Sequence, residues 1–179
     1  MSETPILVTD RLRLRALSVD DADALFPTLS DAALMTWWSS APHNSVEETR
    51  AYFAPRIDRE GWRCWAITLA GDDTALGWVA AGEKRQGGVT EIGYLLARAH
   101  WGKGIAAEAV SAVIDRLFAE GQRRVFADTD PENAASLALL ERLGFQREGY
   151  LRGEWETHIG VRDSVILGLL RDEWRGSRR

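Results

Sequence analysis

The sequence predicts an α/β fold built on a mixed sheet, and three observations carry that expectation. Residues 11–17, RLRLRAL, alternate Arg and Leu, the period-two mark of a strand with one buried face. The runs WRCWAITLA, ALGWVAAGEKR and VTEIGYLLAR are separated by the turn-forming GDDT and QGG, which predicts an antiparallel meander. After the meander come a loop, a helical pattern and a short strand. Such a β–loop–α–β unit makes two neighbouring strands parallel, joined through the helix. An antiparallel meander beside one parallel pair is not a doubly wound Rossmann sheet.

The remaining elements follow in order. SVDDADALFPTLSD sets Ser18 and Asp21 at capping-box spacing and reads as a helix disturbed at Pro27. Ser45 and Glu48 repeat that spacing in SVEETRAYFAPRI, a second helix that must adapt at Pro55. Over 105–120, Ile105, Ala109, Val110, Val113, Ile114, Leu117 and Phe118 recur at three- and four-residue steps, and Gly121 closes the helix as its C′ residue. RRVFADT is a short strand. Asp130 then reads as the cap of a helix with Pro131 in its first turn and Gly144 just past its end. FQREGYLRGEW and RDSVILGLL read as two last strands.

At 179 residues, 45% hydrophobic and 27% charged, the chain suits one compact domain over 1–179 that buries a core without disulfides or metal. A net charge of −5 argues against a broad nucleic-acid surface but leaves room for a local anion site. The sole cysteine, Cys64, excludes an intrachain disulfide and suits a reducing compartment. Its apolar, strand-like setting reads as a buried structural thiol. The first residues lack the basic-then-apolar pattern of a signal peptide, and no apolar run approaches the roughly 20 residues that span a bilayer. A cytoplasmic protein with no membrane or nucleic-acid partner is expected. His43, His100 and His158 lack ligand spacing, so no metal site is expected.

The segment RAHWGKGIAAEAV, residues 98–110, is where chemistry is expected. If Ile105 opens a helix, residues 102–107 present backbone N–H groups that no helical carbonyl satisfies, at the positive end of the helix dipole. Gly102 and Gly104 would let a phosphate approach closely, and Lys103 would add a cation. The loop lacks the glycine spacing and Ser/Thr of a Walker A motif, and Ala107 stands where a dinucleotide fingerprint has its third glycine. Taken alone, it reads either as an anion cradle or as a plain strand-to-helix turn. Asn133 and Ser136 lie one turn apart near the start of the next helix. They read as local caps or, taken with the loop, as polar groups around one elongated ligand.

Four stretches in this order, TDRLRLRAL, EIGYLLARAHWGKGIAAEAV, NAASLALLERLGF and RDSVILGLLRDEW, cover nearly the whole chain. Together they resemble the GNAT superfamily of N-acetyltransferases, in the branch of the ribosomal-protein N-terminal acetyltransferases RimJ and RimL. The resemblance implies a mostly antiparallel sheet whose central parallel pair splays around acetyl-CoA, with helices on both faces. It implies that the coenzyme A pyrophosphate sits on Trp101, Gly102, Lys103, Gly104, Ile105 and Ala106, with Trp101 where Gln or Arg is commoner. Backbone groups of Leu95 and Leu96 would pair with the pantetheine arm, laid in like an extra strand. The N-x-x-S of Asn133 and Ser136 would set the asparagine on coenzyme A and the serine near its sulfur.

The activity so implied is acetyl transfer from acetyl-CoA to a primary amine, first of all a protein or peptide N-terminal α-amine. An α-amine with a pKa of about 8 is mostly protonated at pH 7, so a base helps. Glu91, in VTEIGY, matches a strand glutamate that serves as base elsewhere in the superfamily. Backbone N–H near Leu95 and Leu96 would meet the oxyanion. Leu140 stands where many relatives place a tyrosine acid, so Ser136 is expected to donate a hydrogen bond to the sulfur instead. A thiol with a pKa of about 8.5 needs only modest help to leave. Direct attack by the amine is expected, because Cys64 lies far along the chain from the cofactor motifs. The acceptor side is expected to draw on Trp37, Trp38, His43 and Trp155. Glu83, Asp128 and Glu154 are carboxylates able to attract a cationic amine. A small-molecule amine is the alternative acceptor, and an acyl-CoA-binding module with little catalysis is the rival reading raised by Leu140. Similar proteins are commonly dimers, which makes a second copy an expected kind of partner.

Overall fold

The computed structural model describes residues 4–57, 59–85 and 87–176. Among the described residues, eight strands make one sheet: β1 (Leu7–Val8), β2 (Leu12–Ala16), β3 (Trp62–Leu69), β4 (Asp72–Arg85), β5 (Val89–Leu96), β6 (Arg124–Thr129), β7 (Gln146–Thr157) and β8 (Gly160–Leu170). They lie in the order β1-β2-β3-β4-β5-β6-β8-β7. Every neighbouring pair is antiparallel except β5–β6, so the expected meander and the expected parallel pair are both present.

Helices cover both faces. On one face, α4 (Ile105–Ala119) and α5 (Ala134–Arg142) pack against a core that includes Leu14, Ile92, Val113, Leu140 and Leu167. On the other, α1 (Ala22–Leu29) and α3 (Val46–Ile57) close a second core around Leu25, Phe53, Trp78 and Leu95. β5 shows the alternation directly: Ile92 and Leu96 join the first core and Leu95 joins the second. Gly121 and Gly144 end α4 and α5 as expected. After each helix the two paired bonds of a Schellman motif form, Gly121 N–H to Phe118 with Gln122 N–H to Leu117, and Gly144 N–H to Glu141 with Phe145 N–H to Leu140.

Two local expectations need correction, and two short elements had not been expected. The Ser18–Asp21 capping box forms, but it opens a short 3-10 turn, and α1 begins only at Ala22. There both carboxylate oxygens of the buried Asp21 are held by Arg15, at 2.7 and 2.9 Å. The four-residue helix α2 (Ala32–Met35), capped by Asp31, and the two-residue β1 were too short to leave a periodic signal. Finally, Asp130 does not cap α5. Its carboxylate accepts from the Glu132 amide and pairs with Arg162 at 2.8 Å, while Asn133 Oδ1 accepts the Ser136 amide at 3.1 Å as the true cap.

The functional consequence of this topology lies between β5 and β6. Their register runs Val89↔Arg124, Thr90↔Val125 and Glu91↔Phe126, and then stops. Beyond that point β5 continues with β4, as far as Gly77↔Leu96, and β6 continues with β8, as far as Thr129↔Val165. Each strand follows its outer neighbour, so a gap opens from Glu91 toward the carboxyl ends. At Gly77 the approach of β4 to β5 is so close that a Cβ would collide with the Leu95 carbonyl oxygen. Only glycine allows the strand to lie there.

Candidate active site

The gap opens into a cavity of about 820 Å³ bounded by β5, β6, the loop before α4, the start of α5 and the segment after α2. The loop at its head begins with a short 3-10 turn, Arg98–His100, and reaches α4 through Gly102 (φ 72°) and Gly104 (φ 77°). Both glycines are left-handed, a conformation costly to other residues. No side chain caps α4. The first-turn amides of α4, Ile105 to Ala107, therefore have no intrahelical acceptor, and they lie at the positive end of a fifteen-residue helix.

The back of the loop is tied down by the β1–β2 turn. Arg11 donates to the Lys103 carbonyl at 2.9 Å and pairs with Glu108 at 2.6 Å, and Thr9 Oγ1 donates to the same carboxylate at 2.6 Å. Lys103 is the first departure from expectation. Its Nζ donates to the Ala99 carbonyl at 2.8 Å, and the residue does not line the cavity. The cation organising this loop is Arg11, which the alternating RLRLRAL pattern presents only as a surface position of a strand.

Along β5, the Ala97 amide donates to the Leu76 carbonyl at 2.9 Å. Backbone direction alternates along a strand, so Leu95 also turns its N–H and C=O toward β4. Leu96 and Tyr94 turn theirs to the opposite edge, into the gap. The expectation named the backbone of Leu95 and Leu96; the groups turned to the gap are those of Leu96 and Tyr94, while Leu95 lines the cavity with its backbone directed to β4. At the head of the gap, Trp101 Nε1 donates to the Leu96 carbonyl at 2.7 Å, fixing the indole against the strand end.

On the α5 side, Asn133 and Ser136 both line the cavity, with the Asn133 oxygen engaged as the helix cap. The Ser136 hydroxyl is 2.7 Å from the hydroxyl of Tyr94, a partner 42 residues away that sequence reading missed. Burial pushes the Tyr94 phenol up to about 12, so it is neutral and carries its proton at any ordinary working pH. Leu140 is fully buried in the core under α5 and does not line the cavity.

The opposite wall carries Glu91, Asp128, Trp37, Trp38 and Trp155. Asp128 lies two residues beyond Phe126, the register partner of Glu91, so the two carboxylates share a face of the sheet on either side of the gap. Between them, Gly93 faces open space, since a Cβ there would meet nothing within 4 Å. Trp155 Nε1 donates to Asp128 at 3.0 Å, and Ser164 donates to its other oxygen. Trp38 is locked edge-on to Trp78 and donates to the Tyr52 hydroxyl at 2.7 Å.

Of the other expected acceptor residues, Glu83 and Glu154 lie off the cavity wall. His43 is also misplaced by sequence reading: it is buried, its Nδ1 is 2.8 Å from Thr49 Oγ1, and its ring stands against Tyr52. Burial holds its pKa below the ordinary value, so it is a neutral core side chain. Cys64 sits on β3, off the cavity wall, with its thiol pushed up to about 11 by burial. Among the described residues no group of His, Cys, Asp and Glu is placed to hold a metal, and no helix is long and apolar enough to cross a membrane.

Comparison with known proteins agrees with this geometry. The acetyltransferase (GNAT) domain family matches residues 11–146. An uncharacterized N-acetyltransferase p20 from Bacillus licheniformis is 34% identical over 175 residues, 95% of this chain and 98% of the relative. The [Ribosomal protein uS5]-alanine N-acetyltransferase of Escherichia coli is 35% identical over 95 residues, 49% of this chain and 45% of that one. Among solved structures, a probable GNAT-family acetyltransferase from Chromobacterium violaceum superposes with a TM-score of 0.89 at 26% identity, covering 97% of this chain and 90% of that one. The spermidine N-acetyltransferase of Vibrio cholerae, solved with CoA and spermine, superposes with a TM-score of 0.79 at 23% identity over 92% of this chain and 98% of that one, a likeness of fold. The chain belongs to the GNAT acetyltransferase family and is an acetyl-CoA-dependent N-acetyltransferase.

Proposed function

We propose that the enzyme acetylates a protein or peptide N-terminal α-amine, by direct attack of that amine on acetyl-CoA in a ternary complex. The observation that supports this most is the β5–β6 gap, which runs from Glu91, where the strands part, to the uncapped start of α4. In this reading the pyrophosphate rests on the amides of residues 102–106, as anions do at helix N-termini. The pantetheine arm pairs with the backbone of Leu96 and Tyr94. Asn133 offers its amide N–H groups, its oxygen being held by the cap.

The thioester would then lie beside Tyr94 and Ser136, with the Tyr94 amide facing the developing oxyanion. Glu91 takes a proton from the α-ammonium form of the acceptor, directly or through water; the neutral amine then attacks, and the proton it sheds as the N–C bond forms passes to solvent or to the departing sulfur. When the C–S bond breaks, the electron pair leaves on sulfur, where the Ser136 hydroxyl donates a hydrogen bond. Trp37, Trp38 and Trp155 wall the acceptor side, and Asp128 and Glu91 make it attractive to a cationic amine. A cytoplasmic setting belongs to the same proposal and rests on the single reduced thiol, Cys64.

The choice of a protein α-amine rests on the relative that acts on ribosomal protein uS5. A small polyamine is the second reading, favoured by the fold neighbour that acts on spermidine. Release of free coenzyme A thiol, followed over a panel of acceptors, separates them. Peptides with a free N-terminus should be acetylated, while the same peptides blocked at the α-amine but carrying lysine should not. Turnover confined to spermidine-like amines would move the assignment to the second reading. Tight coenzyme A binding with no turnover on any amine would leave only a binding module.

A further inference from the structure

We propose that Tyr94 is a positioning residue for the thiolate end of the site: its hydroxyl fixes the Ser136 hydroxyl so that Ser136 keeps its own proton for the departing sulfur. The inference rests on the reading above that Ser136 lies at that sulfur.

Ser136 has one hydroxyl proton and several places to send it. Its backbone is fixed, because the Asn133 side chain holds its amide at 3.1 Å. The rotation of its hydroxyl is the freedom that remains. Serine in the first turns of a helix tends to bond back to a carbonyl three or four residues earlier, here Asn133 or Glu132. A proton spent there is lost to the site. Tyr94 changes the balance: its Oη lies 2.7 Å from Ser136 Oγ and 3.4 Å from the Ser136 carbonyl. A phenol is a far stronger acid than an alkyl alcohol, so the phenol donates and Ser136 accepts. The serine proton then points away from Tyr94 and is free for a third group.

Both partners are held on rigid elements, Tyr94 on β5 against the α4-side core and Ser136 on α5. No proton has to leave either residue. As the N–C bond forms and the C–S bond breaks, the electron pair settles on sulfur and is stabilised there by a hydrogen bond. The arrangement also accounts for Leu140, a core residue under α5: the phenol of this site arrives from the neighbouring strand.

Tyr94→Phe removes one oxygen and keeps the ring in its packing. The loss of one well-aligned hydrogen bond should lower kcat about tenfold. KM for acetyl-CoA should stay within about twofold, because the pantetheine meets the backbone of this residue. In a Ser136→Ala background the same change should have no further effect on kcat, since the hydroxyl it orients is gone. A spectroscopic readout runs in parallel: the thiol of bound coenzyme A, titrated by thiolate absorbance, should have a higher pKa in Tyr94→Phe than in the wild type, by about one unit. Wild-type kcat in Tyr94→Phe, or losses from the two changes that multiply, would overturn the proposal. An unchanged bound-thiol titration would overturn it as well. If Ser136→Ala alone leaves both kcat and the bound thiol unaltered, the placement of Ser136 at sulfur fails, and the role of Tyr94 falls with it. Should Tyr94→Phe not fold, Ser136→Ala must raise the bound-thiol pKa for the proposal to stand.

Discussion

Gly104→Val should lower coenzyme A affinity by about a hundredfold, the loss of one or two charge-assisted hydrogen bonds, whereas Lys103→Ala should lower it by less than about threefold. The two residues are adjacent in a loop that looks lysine-centred in the sequence, so the contrast is informative. Gly104 has φ 77°, and a β-branched residue cannot adopt that conformation without strain. Its Cβ would also stand 3.3 Å from the Arg11 guanidinium that anchors the loop to Glu108. The loop must re-form, and the amides at the start of α4 turn away from the anion they would bind. Lys103 has less to lose, because its ammonium is engaged by the Ala99 carbonyl. Calorimetric titration with coenzyme A measures both variants. A larger loss in Lys103→Ala would mean that a side-chain cation, and not the backbone, carries the site.

Glu91→Gln should reduce kcat at pH 7 by about a hundredfold, the usual scale of a lost general base, with acetyl-CoA affinity unchanged. The loss should then shrink as pH rises. An α-amine with a pKa of about 8 is largely neutral by pH 9.5 and no longer needs a base. The ratio of wild-type to variant kcat should therefore fall steadily between pH 7 and 9.5. A deficit constant across that range would point to a distorted strand and not to proton transfer. Full activity at pH 7 would transfer the role to another group on the same face, with Asp128 across the gap the first to test.

The parts of this fold that were legible in the sequence are those specified by neighbouring residues. The RLRLRAL alternation and the glycines closing α4 and α5 act within a few positions, and each appears where expected; the turn expected over GDDT tightens to Ala70–Gly71, with Asp72, Asp73 and Thr74 already in β4. The gap was not legible in the residues themselves, because it arises when β5 follows β4 and β6 follows β8, partnerships that no local pattern encodes. The same reason explains Leu95 and Tyr94. Period two shows that they face opposite ways, but only the Ala97–Leu76 bond shows which edge each one faces. His43 and Lys103 were misplaced for a related cause: a polar side chain looks available until its partner is known, and theirs are Thr49 and the Ala99 carbonyl. Tyr94 carried a weak signal. A lone phenol among the leucines and isoleucine of a core strand needs a polar partner when buried, and α5 supplies it.

Amide hydrogen exchange with and without saturating coenzyme A tests the central claim most directly, since it reads the backbone groups assigned to the ligand. Protection should appear at Tyr94 and Leu96 on β5 and at Ile105 to Ala107 at the start of α4. The amides of Val125 and Phe126, below the point where the strands part, should be unaffected. Protection confined to other elements, or none in residues 94–107, would contradict the placement of acetyl-CoA in the β5–β6 gap.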